Sequence, residues 1–150
     1  MKVLVDSCIW SLALRRRKGP AGLSTGERRL VENLAEAIRD GRVAVVGPVR
    51  QEVLSGIRHP EQFQKVCAKL EAFADETIDS RDYIDSARLD NLCRKHGVQC
   101  GEVDMLLCAV ALRYGWQILT TDSALLRRID VIKRESPGSN AAQLGKETKP

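Results

Sequence analysis

Three short stretches constrain this chain's fold more than anything else in it: "KVLV" (2–5), "RVAVV" (42–46) and "WQIL" (116–119), each a nearly unbroken apolar run. A strand with one wet face alternates apolar and polar residues. Runs without alternation need cover on both faces, which is the situation of parallel strands between layers of helix. The segments between them supply that cover. "STGERRLVENLAEAIRDG" sets Ser24 three residues before Glu27 as a capping box, carries Leu30, Val31, Leu34, Ala37 and Ile38 at helical spacing, and stops at Gly41. Pro48 suits the first turn of a helix through Glu52 and Leu54, and His59-Pro60 marks a boundary before "EQFQKVCAKLEAFADE", whose Phe63, Val66, Cys67, Leu70 and Phe73 share one face. With Ser80 as cap, a further helix runs to Gly97, and "VDMLLCAVALRYG" is a core helix closed by Gly115. "TID" (77–79) and "VIK" (131–133) are candidate brief strands. Strands alternating with helices over short turns give an α/β sandwich around a mostly parallel sheet.

The chain has 150 residues, 43% hydrophobic and 29% charged, the balance of one domain with a full core. We read residues 1–135 as that domain. The remaining "SPGSNAAQLGKETKP" (136–150) has no apolar period and reads as a flexible polar tail. A formal charge of +4 permits a polyanionic partner without requiring one, and short basic clusters such as Arg127–Arg128 read singly as solvated faces. Five cysteines without a Cys-x-x-Cys pair point to reduced thiols rather than a zinc site or a disulfide framework. Asp6 interrupts the first apolar stretch and Arg15–Lys18 follow it, which is not the pattern of an export signal, and no run approaches a membrane span. A soluble, cytoplasmic protein is expected.

Acids stand where the runs end. Asp6 and Asp122 follow strands, Glu52 lies about one turn into the helix after the second strand, and Asp104 lies in the first turn of its helix. In an open parallel sheet these positions share the carboxyl edge, where ligands collect. Taken singly, each acid has a local explanation: Asp104 charges a helix start, Glu52 is an exposed helix acid, and Asp122 caps the helix from Ser123. Together they are costly unless a cation sits among them or some take up protons, and a divalent cation is the economical answer. Oxygen donors suit Mg2+ or Mn2+, and the chemistry such an ion supports is phosphodiester hydrolysis.

In order along the chain, "VLVDSCIW", "GPVRQEVLSGIR" and "GEVDMLLCAVALRYGWQILTTDSAL" resemble the blocks of PIN-domain ribonucleases, and among them the VapC-like toxins of toxin–antitoxin pairs. The resemblance runs from Val3 to about Arg134. It implies a three-layer sandwich with a four- to five-stranded, mostly parallel sheet, and Asp6, Glu52, Asp104 and Asp122 as catalytic and metal-binding residues. Ser7 and Thr120 would orient the carboxylates through their hydroxyls. It further implies an endoribonuclease using Mg2+ or Mn2+, a homodimer, and a VapB-like antitoxin covering the acidic groove. Cys8 departs from the small polar residue often found at its position.

RNA reaching an acidic pocket needs flanking cations, and Arg15, Arg16 and Arg17 are the candidates. Trp10 and Trp116 read as core or interface anchors rather than base-stacking platforms. Three other readings compete. His59 and His96 could serve as a metal-free acid and base, although both occupy helix-boundary positions. A receiver-like Mg-binding signalling module would carry lysine after a late strand, where this chain has "TTDS". A catalytically silent PIN scaffold that binds RNA or protein would keep every ligand.

Overall fold

The computed structural model describes residues 1–15, 20–99, 101–136 and 139–145. Its sheet consists of β1 (Val3–Val5), β2 (Val43–Ala44) and β3 (Gln117–Leu119) in the order β2-β1-β3, all parallel. Val3, Leu4 and Val5 are each fully buried. Successive strand side chains point to opposite faces, so both faces of the central strand are covered, as an apolar run without alternation requires.

The cover comes from α1 (Ser7–Leu14), α2 (Thr25–Arg39), α3 (Gly47–Leu54), α4 (Pro60–Leu70), α5 (Ser80–Lys95), α6 (Glu102–Tyr114) and α7 (Ser123–Glu135). Ser24 caps α2 by accepting from the Glu27 N–H at 3.2 Å, and Gly41 leaves that helix with φ +64°. Met105 through Ala111 of α6 are all buried, and α5 packs along this helix while α1 lies against α2 and α3. Trp10 and Trp116 are buried too; Trp10 is tilted on Phe73 and Trp116 stacks on Tyr114.

Four details differ from the sequence reading. Three strands are present among the described residues, and beyond them a single parallel bridge joins Val45 to Asp75, so "TID" forms no strand. "VIK" lies inside α7, because Leu125, Ile129 and Ile132 repeat at helical spacing and bury one face, overriding the β-preference of Val-Ile. Asp79 rather than Ser80 caps α5, in a reciprocal box with Asp82. Residues 139–145 pack onto the domain: Ala141 and Leu144 are buried and Asn140 Nδ2 donates to the Leu112 carbonyl at 2.8 Å, closing the end of α6. Three apolar residues, Ala141, Ala142 and Leu144, make no period in a polar tail, so nothing local announces this docking. Among the described residues no helix is long and apolar enough to cross a membrane.

Candidate active site

Parallel pairing of β1 with β3 sets Val5 opposite Leu119, and the Asp6 N–H donates to the Leu119 carbonyl at 3.0 Å. The first residues beyond the two strands, Asp6 and Thr120, are therefore neighbours at the carboxyl edge. Asp6 is 5% exposed and caps α1, its Oδ1 accepting from the Ser7 N–H at 2.7 Å. Its Oδ2 accepts from the Thr120 hydroxyl at 2.7 Å and lies 3.5 Å from the Cys8 thiol. Thr120 Oγ1 in turn accepts from the Asp122 N–H at 3.0 Å. This one hydroxyl thus links the ends of β1 and β3 and fixes the carboxylate rotamer of Asp6.

Ser7 contributes its backbone N–H; its hydroxyl makes no hydrogen bond among the described residues. Cys8 joins the network, with its sulfur 3.5 Å from Thr120 Oγ1 and accepting from the Thr121 N–H at 3.4 Å. A thiol is large and polarisable enough to span these separations, which accounts for a cysteine at this position.

Asp122 caps α7 through Oδ1, which accepts from the N–H groups of Ala124 at 2.8 Å and Leu125 at 3.4 Å. Its other oxygen makes no such bond among the described residues. Glu52 stands exposed on α3, with no hydrogen bond or ion pair among the described residues. Asp104, in the first turn of α6, gives Oδ2 to Arg128 Nη1, and its Oδ1 makes no hydrogen bond among the described residues. Burial pushes the Asp104 carboxyl up to about 6; Arg128 opposes the rise, and the charges of Asp6, Asp122 and Glu52 reinforce it. Asp104 therefore feels the charges of the other three acids, although the four come from the end of β1, α3, α6 and the β3–α7 link.

Arg128 does not belong to a solvated cluster with Arg127, as its sequence context suggests: it is 8% exposed. Its Nε and Nη2 donate to the Gln99 carbonyl at 2.8 and 2.6 Å, so the guanidinium is anchored to the loop before α6 independently of Asp104. A signal is present in the sequence: position 128 falls on the same helical face as Leu125, Ile129 and Ile132, and a cation there calls for a buried acceptor. Arg15 ends α1 near α4, Arg16 and Arg17 lie outside the described residues, and His96 stands 3.5 Å from Glu135.

The donor set fits a hard divalent cation. Asp104 Oδ1, Asp122 Oδ2 and both Glu52 oxygens are open, and mutual repulsion in a partly buried setting is what a cation relieves. With the side chains in these positions, no group of three potential ligands encloses a common point among the described residues, and Asp104 is paired with Arg128.

A family model for the PIN domain matches residues 3–132. The fold is similar to that of FitAcB from Neisseria gonorrhoeae, with 17% identity and a TM-score of 0.67 over 85% of this chain and 93% of that one. VapBC2 from Rickettsia felis, solved bound to a DNA fragment from its promoter, gives 16% identity and a TM-score of 0.60 over 85% and 92%. Among curated proteins none matches.

Proposed function

This chain belongs to the PIN-domain family, and on that footing we propose that it is an endoribonuclease dependent on Mg2+ or Mn2+ and acting as a VapC-like toxin. The observation that carries the reading is the electrostatic convergence of Asp6, Glu52, Asp104 and Asp122 at the carboxyl edge of the sheet, which helps burial lift the Asp104 carboxyl to about 6. When bound, the cation supplies Lewis acidity and offsets the charge that develops on the phosphate. The open oxygens of Asp104, Asp122 and Glu52 would hold it beside Asp6. Thr120 keeps Asp6 in one rotamer, so that little reorganisation is needed on loading. The same carboxylates accept hydrogen bonds from the attacking water and align it with the scissile phosphorus; an ester P–O bond breaks as the new one forms, and the departing oxygen is protonated from solvent.

Cytoplasmic residence, a homodimer and silencing by a VapB-like antitoxin belong to the same proposal. The FitAcB and VapBC2 likenesses support it at the level of fold. The purified protein should cut mixed cellular RNA with Mn2+ present and stop on addition of EDTA. Asp6→Asn should abolish cutting while leaving RNA binding measurable. Cleavage that persists through chelation would favour the histidine route and overturn this reading.

A further inference from the structure

Many cations of this chain are neutralised in place: Arg50 meets Asp75, Arg94 meets Asp90, Arg113 meets Asp79 and Asp82, and Arg128 meets Asp104. Others are unpaired among the described residues, and four of these line one groove. It lies where the end of α1 meets the loop after α3 and the first turns of α4, and it consists of two adjoining hollows of about 790 and 300 Å3 that share His59 and Gln62. Arg15 and Arg58 line the smaller hollow, and Lys65 and Lys69 the larger. None of these four meets a carboxylate at ion-pair distance among the described residues, and Glu61 is the only acid in the described lining.

The cations are held in register with one another. Lys65 and Lys69 are four residues apart and exposed on one face of α4. Gln62 Nε2 donates to the Arg15 carbonyl at 2.9 Å, fastening the end of α1 to that helix. Gly56 turns the chain with φ +83°, and a Cβ there would lie 3.6 Å from Arg15 Nη2, so the guanidinium rests over the turn. Gathering four unpaired cations in one concave strip is unfavourable in the free protein and favourable against a chain of phosphates. α1 runs from its Asp6 cap at the acidic edge to Arg15, so the strip begins about 12 Å from that edge.

We propose that this groove carries the phosphate backbone of single-stranded RNA leading away from the scissile bond, an inference that rests on the nuclease reading above. A strand whose reacting phosphate lies among the acids would extend along Arg15 and Arg58 to Lys65 and Lys69. The site reads charge and spacing rather than bases.

The test uses the full chain with Asp6→Asn, titrated against fluorescein-labelled single-stranded RNA at several salt concentrations, with and without the double change Lys65→Ala and Lys69→Ala. The double variant should bind about tenfold more weakly, and its log K against log salt should flatten by about 1.4, roughly 0.7 for each phosphate no longer neutralised. Lys65→Arg with Lys69→Arg should restore both. In the otherwise unchanged enzyme the loss should fall on KM. If the wild type cuts RNA but the double variant keeps its affinity and salt slope, the groove assignment is wrong and the nuclease reading stands. Failure of the wild type to bind or cut RNA would remove both. Loss of binding to polyglutamate with RNA binding intact would overturn the proposal in favour of an acidic protein segment.

Discussion

Arg128 joins parts of the site that the chain keeps far apart, reaching from α7 to the loop before α6 and to the Asp104 carboxylate. Arg128→Met should strand both the Gln99 carbonyl and a partly buried carboxylate, at a cost of about 3 kcal/mol in urea unfolding. Arg128→Lys keeps the charge but not the fork that grips Gln99, so its cost should be smaller. Asp104 itself carries a pH signature. Its folded pKa of about 6 lies above the ordinary 3.8, so between these values the folded state binds the extra proton. Stability of the metal-free protein should therefore fall as pH rises through that window and level off above it. The drop should be about 2 kcal/mol, since partial exposure of the carboxyl trims the full value of the shift. Asp104→Asn should lose this slope. A slope that survives the substitution would place the titration elsewhere.

Helix ends carry much of the architecture one level up. Asp82, 1% exposed, completes the box that starts α5 and also binds Arg113 of α6 at 2.7 Å. Asp82→Ala should cost about 3 kcal/mol, because an Arg113 partner and a cap are lost together. At the other end of α6, Gly115 takes φ +69°, and a Cβ there would meet the Asn140 side chain at 3.1 Å. Gly115→Ala should destabilise by about 1 kcal/mol or more, and should also loosen residues 139–145, seen as faster proteolysis of the tail. Leu144→Ala tests that docking separately: the leucine is fully buried, so a loss of about 2–4 kcal/mol is expected, whereas a silent substitution would mean the segment contributes nothing. The chemistry of these termini was legible in part. Ser24, Gly41, Pro48, Gly97 and Gly115 announce helix boundaries because capping depends on a few neighbouring residues. The exchange of Ser80 for Asp79 as cap shows the one-residue ambiguity that two adjacent capping residues leave.

Across the whole molecule, one parallel sheet gathers acids from distant parts of the chain at its carboxyl edge, and helices close both of its faces. Glu52 is exposed and outside every hydrogen bond of the described core. Glu52→Gln should accordingly leave thermal unfolding of the metal-free protein nearly unchanged while weakening Mn2+ uptake in a titration; equal affinity would remove Glu52 from the donor set. The class of fold, and the places where acids leave strands and start helices, were already written in the order of residues. Apolar period, caps and breakers act over a few residues, and a parallel sheet has one edge at which strand-end residues must meet. It took packing to establish that Thr120 grips Asp6 across 114 residues, that Arg128 occupies Asp104 across 24, that Leu144 returns to the core, and that Arg15 faces α4. Those outcomes depend on which surfaces come within a few ångströms once the chain has folded, and no local pattern encodes that distance.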